Sequence, residues 1–373
     1  MINPTLAEMA TYPFVRLEEA RRDLVARGID VIDFGRGDPN EPTDPVIRQA
    51  LVDAVPERAP YPLAAGLPEL REAAASWCRR RFGVDLDPAT ELVPTYGSKE
   101  AIFSLAQVLV DSHSDKRVVA YGEPAYPVYE RGAMFAGADV QTLPLLRANT
   151  FLPDLDTLDE RTAIVWVNYP HNPTGSVAPL SFYEELTARA AELDFVVASD
   201  EAYTELWFDE PPPSALQVRD RSRVIVFQTL SKRSSMTGYR SGFVAAAPAV
   251  IDALKAYRPT VGSAPQEFVQ RASVVAWNDE RHVEETRARY AAKRDVLLPA
   301  IEARGWEVVA SEATMYLWLA VSDADGVVHA LLEHGVIVSP GTFFGPSGAG
   351  YVRIALVPTL DECRRAAAIL ESL

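Results

Sequence analysis

The sequence predicts an α/β fold with a mostly parallel sheet and a smaller α+β unit. Between about residues 38 and 260, short apolar runs alternate with segments of helical periodicity, as parallel strands joined by helical crossovers require. After residue 260, a long helical segment precedes strands in which polar and apolar residues alternate, a pattern typical of a half-exposed sheet. Polar motifs in the first region follow apolar runs. Because ligands bind beyond the carboxyl ends of parallel strands, these motifs should share one edge of the sheet.

The predicted elements follow from apolar runs, helical periodicity and the turns between them. A helix is expected at 14–26, ending before Gly28, and a strand at 30–34 leads to a turn-rich break at 35–39. The strands of the larger sheet are expected at 91–95, 117–121, 139–143, 162–167, 195–198, 224–227 and 243–246, with a helix that opens at 97–100 and runs to 110. The smaller unit should hold helices at 283–304, 327–334 and the C-terminus, and strands at 306–309, 315–319, 336–338 and 351–357.

The composition describes an acidic globular chain. Its 373 residues include 36 basic and 52 acidic ones, which gives a formal net charge of −16. This charge argues against a nucleic-acid partner, because a phosphate backbone needs a basic face. No apolar run approaches bilayer length, so we expect no membrane segment. Only Cys78 and Cys363 are present, which argues against a disulfide framework and favours a reducing cytoplasm.

Three further patterns exclude function classes. The first 14 residues lack a basic region followed by an apolar core, so no signal peptide is expected. The five histidines show no metal-ligand spacing, so no metal site is expected. The glycine-rich segment 341–350 lacks the Gly-Lys-Ser/Thr ending of a P-loop and is interpreted as a loop over the mouth of a site.

One lysine stands among small hydroxyl residues soon after the apolar run 224–227. This position predicts that Lys232 lies at the carboxyl end of a buried strand and faces a cleft. Burial lowers the pKa of an amine, and a neutral amine forms a Schiff base with a carbonyl. Arg240 and the hydroxyls of Thr229 and Ser231 suit a phosphate. A carbonyl and a phosphate on one ligand indicate pyridoxal phosphate.

Two other motifs end neighbouring strands of the predicted sheet. Asn172 lies in an Asn-Pro-Thr-Gly turn after the strand at 162–167. Asp200 and Tyr203 follow the strand predicted at 195–198. An amide, a carboxylate and a phenol should therefore reach the same sheet edge as the lysine.

The segment Gly97-Ser98-Lys99 follows the first strand of the large sheet and opens a helix. The first N–H groups of a helix have no partner within it, and the helix dipole favours an anion there by about 0.3–2 kcal/mol. This segment is therefore predicted to bind a phosphate.

These motifs, in this order, resemble the class I/II aminotransferases of the aspartate aminotransferase fold, which are fold type I pyridoxal phosphate enzymes. The resemblance covers nearly the whole chain. It implies a mostly parallel seven-stranded sheet flanked by helices, with a large cofactor-binding domain at 38–260. The small α+β domain would consist of 1–37 plus 261–373. The resemblance also implies a homodimer with shared active sites.

The resemblance assigns a role to each residue at the strand ends. Lys232 would hold pyridoxal 5′-phosphate covalently and move the proton of the substrate's Cα. Asp200 would face the pyridine nitrogen and keep it protonated. Asn172 and Tyr203 would hydrogen-bond the ring's 3′ oxygen, and Tyr126 would stack on the ring face.

The resemblance further implies how the phosphate and the substrate are bound. Arg353 would bind the substrate's α-carboxylate, and its place in an apolar strand fits this role because a buried arginine is costly unless paired. Gly37 would border the substrate, and Asn172 would also contact it. Tyr61 would reach the phosphate of the neighbouring subunit's cofactor. The predicted phosphate ligands of the same subunit are Gly97, Ser98, Lys99, Thr229, Ser231 and Arg240.

The sequences of the segments 96–101, 169–173 and 231–235 look most like those of N-succinyldiaminopimelate aminotransferases. The predicted reaction therefore exchanges an amino group between N-succinyl-LL-2,6-diaminopimelate and 2-oxoglutarate, on the route to lysine. Alternatives are an aspartate, alanine or aromatic aminotransferase, and a pyridoxal-phosphate-dependent lyase or amino-acid oxidase on the same fold. A ligand-sensing part of a transcription regulator is a further alternative, which the acidic composition disfavours.

Overall fold

The computed structural model describes residues 2–8 and 14–373, over which helices and strands alternate. The strands are β1 (Ile32–Asp33), β2 (Leu92–Thr95), β3 (Val118–Glu123), β4 (Asp139–Pro144), β5 (Thr162–Asn168), β6 (Val196–Asp200), β7 (Val224–Thr229), β8 (Gly242–Ala246), β9 (Glu307–Ala310), β10 (Tyr316–Ala320), β11 (Val336–Ile337), β12 (Ser339–Pro340) and β13 (Tyr351–Ala355).

The helices are α1 (Pro4–Glu8), α2 (Phe14–Ala26), α3 (Pro45–Ala54), α4 (Pro68–Phe82), α5 (Ser98–Leu109), α6 (Val128–Phe135), α7 (Leu180–Leu193), α8 (Leu230–Arg233), α9 (Pro248–Tyr257), α10 (Glu267–Asn278), α11 (Arg281–Ala303), α12 (Ala324–Glu333) and α13 (Leu360–Ser372). The helices predicted at 14–26, from 97–100 to 110, at 283–304, at 327–334 and at the C-terminus correspond to α2, α5, α11, α12 and α13; the sequence predicts no bounds for the others.

The larger sheet has seven strands in the order β2-β8-β7-β6-β5-β3-β4. Strands β4, β3, β5, β6 and β7 run parallel to one another, whereas β8 is antiparallel to both β7 and β2. The prediction of a mostly parallel seven-stranded sheet is confirmed. In its register, Asn168 pairs with Asp200 and Asp200 pairs with Phe227, so the carboxyl ends of β5, β6 and β7 lie at one edge.

The core of this sheet has two apolar layers, because successive strand side chains point to opposite faces. Val165 of β5 belongs to one buried cluster, which α4, α7 and α10 cover. The next residue, Trp166, belongs to the other cluster, which α5, α6 and α9 cover. Both faces are therefore buried, which explains why the parallel strands read as continuous apolar runs in the sequence.

A second sheet has the order β12-β13-β10-β9 and is antiparallel throughout. Its apolar face packs against α11 and α13 in a cluster of its own. Strand β1 pairs in parallel with β11, which attaches the N-terminal segment to the C-terminal part of the chain. This pairing agrees with the expected small unit. The division into domains at 38–260 and at 1–37 plus 261–373 stays a prediction.

The two cysteines are buried in different clusters. Cys78 of α4 packs beneath the larger sheet, and Cys363 of α13 packs beneath the antiparallel one. Both thiols are free. Over the part of the chain that the structure describes, no helix is both long enough and apolar enough to cross a bilayer.

The antiparallel sheet offers a direct test of packing. Leu317 of β10 is 0% exposed, so Leu317→Ala should lower the free energy of unfolding by about 2–5 kcal/mol through loss of burial and formation of a cavity. Val25→Ala on the exposed side of α2 is the control, with an expected change below about 0.5 kcal/mol. Urea unfolding curves of both variants measure the difference. Equal stability of the two variants would contradict the placement of Leu317 in the core.

Candidate active site

A cavity of about 530 Å³ opens beyond the carboxyl ends of β5, β6 and β7, between the two sheets. Its wall brings together most of the residues that the sequence predicted for the site. They are Gly37, Ser98, Lys99, Tyr126, Asn172, Asp200, Tyr203, Thr229, Ser231, Lys232, Arg240 and Arg353.

Two predicted residues lie outside this wall. Gly97 is adjacent to it, because a Cβ atom at this position would lie 2.4 Å from Arg240 Nη2. Tyr61 is fully exposed and does not line the cavity of its own chain. Its predicted role concerns a neighbouring subunit and stays a prediction.

Lys232 lies in α8, the single helical turn that follows β7. Its Nζ donates a hydrogen bond to the carbonyl of Gly37. Removal from water lowers the pKa of the Lys232 amine to about 8, although the negative charge of Asp38 raises it and the positive charge of Arg353 lowers it further. About a tenth of the amine is therefore neutral at pH 7, far more than for an ordinary lysine.

Asp200 is the last residue of β6 and is 5% exposed. Its Oδ2 accepts a hydrogen bond from Tyr129 Oη at 2.8 Å, and its Oδ1 accepts one from the Ala202 N–H at 3.3 Å. Burial raises the pKa of the Asp200 carboxyl to about 6, while both hydrogen bonds oppose the rise. A cation placed against this carboxyl would lower its pKa again, because an opposite charge favours the ionised form.

A chain of amide contacts joins the ends of β5 and β6 to β13. Asn168 Nδ2 donates to the carbonyl of Asp200 at 2.7 Å, and Asn168 Oδ1 accepts from the Asn172 N–H at 3.1 Å. Asn172 Oδ1 accepts in turn from Arg353 Nη1 at 2.9 Å, and Arg353 Nη2 donates to the carbonyl of Gly35 at 2.8 Å. The 1% exposed guanidinium of Arg353 is therefore oriented from two sides.

Two phenols meet at the boundary between the sheets. Tyr203 Oη and Tyr316 Oη lie 2.9 Å apart, and their rings pack edge to face. Burial raises the pKa of Tyr203 well above its usual value, so its hydroxyl stays protonated and can donate. The Arg353 guanidinium lies 4.3 Å from the centroid of the Tyr316 ring. A Cβ atom at Gly37 would come within 2.2 Å of Tyr316 Oη, so a side chain there would require the buried Tyr316 ring to move.

The opposite end of the cavity is built for an anion. Helix α5 begins at Ser98 after Gly97, and no side chain caps its first N–H groups. Arg240 Nη1 donates to the carbonyl of Thr237 at 2.7 Å, which directs the guanidinium toward this helix start. The hydroxyls of Thr229 and Ser231 lie 2.9 Å apart and also line the wall. These donors and the positive end of the helix dipole suit a phosphate.

Tyr126 forms one side wall of the cavity between these two ends. The Lys99 ammonium lies 5.5 Å from the centroid of the Tyr126 ring. The rings of Tyr126 and Tyr129 pack edge to face. A tyrosine at this place can present its ring face to a planar ligand.

The segment that carries the lysine is fixed by buried polar contacts on its far side. Arg233 Nη2 forms an ion pair with Glu280 at 2.9 Å at the junction of α10 and α11. The imidazole of His282 at the start of α11 lies 2.8 Å from Ser234 Oγ through its Nε2. These contacts hold the backbone around Lys232 independently of any ligand.

Several cavity residues were missed by the sequence reasoning. They are Val15, Glu18, Arg36, Asp38, Asn168, Ala202, Thr237, Tyr316 and Phe344. Tyr129 was also missed; it does not line the cavity but donates to the Asp200 carboxyl. Tyr129 lies in the first turn of α6, and the nearby Tyr126, three positions earlier and outside that helix, is a local signal that could have drawn attention to it. Tyr316 and Arg36 have no such signal, because their approach depends on how the two sheets pack. Phe344 agrees with the interpretation of 341–350 as a loop over the site.

The histidine next to Asn172 has structural contacts only. His171 is buried and its Nδ1 contacts Thr174 Oγ1 at 2.7 Å. Burial lowers the pKa of His171 to about 3, so it stays neutral. Among residues 2–8 and 14–373, no cluster of His, Cys, Asp and Glu could hold a metal ion.

The chain is similar to known proteins over nearly its whole length. A family model described as aminotransferase class I and II matches residues 29–370. LL-diaminopimelate aminotransferase 2 of Trichormus variabilis is 38% identical over 365 residues, covering 94% of this chain and 93% of that protein.

Solved structures agree with this likeness. A single mutant of the Thermus thermophilus aspartate aminotransferase superposes with a TM-score of 0.92 at 28% identity, covering 100% of this chain and 99% of that one. A probable N-succinyldiaminopimelate aminotransferase of the same organism superposes with a TM-score of 0.88 at 30% identity, covering 96% and 99% of the two chains.

The altered pKa of Lys232 can be measured on cofactor-free protein. Only a neutral amine reacts with acetic anhydride, so acetylation of Lys232 should rise with a midpoint near pH 8. Asp38→Asn should move the midpoint to lower pH, because it removes a charge that stabilises the ammonium. Pulse labelling and peptide mass spectrometry give both curves, with the exposed Asp154→Asn as control. A midpoint near the ordinary lysine value of about 10.4 would contradict the assignment.

Proposed function

The chain belongs to the class I and II aminotransferases, and from this premise we propose that its amino donor is a 2,6-diaminopimelate. The family uses pyridoxal 5′-phosphate and transfers an amino group between an amino acid and a 2-oxo acid. The fold and the cofactor predicted from the sequence are therefore confirmed.

The residues of the cavity fit the cofactor. Its phosphate matches the uncapped start of α5, which would place backbone N–H groups beside the Arg240 guanidinium. Gly97 has a positive φ of 71°, which favours glycine, and a side chain at this position would displace the Arg240 guanidinium. The amine of Lys232 and the carboxyl of Asp200 lie on the wall of the same cavity. When bound, the cofactor supplies an aldehyde for the amino group and a ring that accepts the electron pair released at the substrate's Cα.

Lys232 is suited to hold the cofactor and to move the Cα proton. Its pKa of about 8 lies near neutral pH, so the amine can accept a proton and give it back without a large free-energy cost. Asp200 would hold a proton on the ring nitrogen, since its buried carboxyl is stabilised as an anion by a cation beside it. Tyr129 keeps one oxygen of that carboxyl in place.

The α-carboxylate of the substrate would bind to Arg353. This guanidinium is held by Asn172 and by the carbonyl of Gly35, so little conformational entropy is lost when a carboxylate arrives. The Tyr203 hydroxyl is protonated and faces the cavity, where it would donate to the ring's 3′ oxygen.

The names of the relatives support a diaminopimelate as substrate. The free LL form is the first candidate, because curated relatives at 38% identity over 94–99% of this chain are named LL-diaminopimelate aminotransferases. The N-succinylated form, which the sequence wording predicted, is the second candidate, and the likeness to the probable N-succinyldiaminopimelate aminotransferase favours it. Both forms carry a carboxylate at the far end of a long chain, and 2-oxoglutarate is the proposed acceptor.

A panel of donors decides between these substrates. With 2-oxoglutarate as acceptor, one diaminopimelate form should exceed aspartate, alanine and phenylalanine in kcat/KM by about a hundredfold. Alanine and phenylalanine lack a polar far end, and the side-chain carboxylate of aspartate lies much closer to its Cα than the far carboxylate of diaminopimelate. Product formation measured by mass spectrometry gives the values. Lys232→Ala serves as the inactive control. Equal or better use of aspartate or alanine would refute the proposal, and release of pyruvate and ammonia without an acceptor would indicate a lyase.

We further propose a homodimer in which Tyr61 contacts the phosphate bound by the partner. The Tyr61 side chain is fully exposed on the isolated chain, which supports this role because burial of a large aromatic ring at an interface is favourable. One hydrogen bond to a charged group contributes about 1.5–3 kcal/mol, so Tyr61→Phe should weaken cofactor binding about 10- to 150-fold.

Mixing two variants tests this arrangement. A hybrid of a Lys232→Ala subunit and a Tyr61→Phe subunit has one site with both defects and one intact site. At limiting cofactor, the refolded mixture should therefore exceed the average activity of the two variants. Co-purification of an untagged subunit with an affinity-tagged one is the control that hybrids have formed. Activity equal to the average would exclude a shared site.

A further inference from the structure

Arg36 occupies the mouth of the cavity between two residues that anchor the site. It stands in Gly35-Arg36-Gly37, where the carbonyl of Gly35 accepts from Arg353 and the carbonyl of Gly37 accepts from Lys232. The backbone of this segment therefore runs along the place where the α-carboxylate and the reacting carbon of the substrate would lie. The Arg36 side chain lines the same cavity and is 44% exposed.

A carboxylate orients this guanidinium over the mouth. Arg36 Nη2 forms an ion pair with Oε2 of Glu18, and Glu18 also lines the cavity. Arg36 Nε lies 3.7 Å from Asp33 Oδ2. Half-exposed ion pairs contribute only about 0–1 kcal/mol, so another carboxylate can replace Glu18 at small cost. Arg36 is thus pre-aligned for an anion without being locked to its partner.

We propose that Arg36 binds the carboxylate at the far end of the substrate. This inference rests on the proposed function, in which both diaminopimelate forms and 2-oxoglutarate carry such a carboxylate. Arg353 is committed to the near carboxylate, and Arg240 to the phosphate. Donor and acceptor occupy the cavity in turn, so one far-end residue serves both halves of the reaction.

Arg36 suits this role better than Lys99, the other cation on the outer wall. A guanidinium can bind a carboxylate through two parallel hydrogen bonds, whereas an ammonium acts as a point charge. Lys99 also belongs to the first turn of α5 and lies over the ring of Tyr126, at the phosphate end. Arg36 stands beside the residue that contacts Lys232.

The test compares binding of glutarate and butyrate to the holoenzyme. The two differ in a single far carboxylate, and binding is read from the change in cofactor absorbance, so it does not depend on turnover. Wild type should prefer glutarate, and Arg36→Gln should reduce glutarate affinity about three- to fivefold, the upper end of what a half-exposed ion pair contributes. Butyrate affinity should stay within about twofold, which also shows that the variant is folded.

Arg22→Gln is the matched control. Arg22 pairs with the same Glu18 carboxylate at 3.0 Å, but it is 75% exposed and does not line the cavity. The Arg22→Gln substitution removes one positive charge from the same region. Because Arg22 does not line the cavity, the substitution should leave the preference for glutarate unchanged. An equal loss in both arginine variants would show a general charge effect and overturn the proposal.

Two other results would also overturn it. One is a wild type that binds butyrate as well as glutarate, and the other is an Arg36→Gln variant that keeps the preference while Lys99→Gln loses it. If the kcat/KM values show no preference for either diaminopimelate, the proposed substrate is wrong, whatever the outcome for Arg36. The glutarate comparison would still report what Arg36 binds.

Discussion

The buried guanidinium of Arg353 is the contact on which the architecture of the site depends. Placing an arginine in the middle of an antiparallel sheet is costly unless hydrogen bonds compensate the lost water. Asn172 supplies one acceptor from the end of the larger sheet, and the carbonyl of Gly35 supplies another from the N-terminal segment. Three distant parts of the chain must therefore come together before the arginine is satisfied. That requirement also closes the cavity around the place where a substrate carboxylate would bind.

Burial shifts the pKa values of Lys232 and Asp200 in opposite directions. It lowers the pKa of Lys232 to about 8 and raises that of Asp200 to about 6, because burial disfavours the charged form of each. Both pKa values therefore lie near neutral pH, although the ordinary values of an aspartate and a lysine are about 3.9 and 10.4. Asp38 and Tyr129 limit these shifts, so the cavity itself sets the protonation of both groups.

Rigidity behind the lysine complements this electrostatic arrangement. The ion pair of Arg233 with Glu280 and the contact of His282 with Ser234 anchor the turn after β7 to the junction of α10 and α11. Helix α11 then leads into the antiparallel sheet, which carries Tyr316 and Arg353. The segment that holds Lys232 and the sheet that holds the substrate arginine are thus connected through one helix. In contrast, the mouth is lined by partly exposed charges, those of Glu18 and Arg36.

The amino-acid sequence by itself determined the strands of the larger sheet and the residues at their ends. Apolar runs fix the strands, and parallel pairing then brings Asn172, Asp200 and Lys232 to one edge, since each lies at or shortly after the end of its strand. The start of α5 was predictable for the same local reason. Tertiary structure alone decided that Tyr129 would contact Asp200, that Tyr316 would meet Tyr203, and that Arg36 would reach the cavity. The two tyrosine contacts join residues 71 and 113 positions apart, and the contact of Gly37 with Lys232 beside Arg36 spans 195 positions. No local pattern encodes which faces of two sheets will pack together.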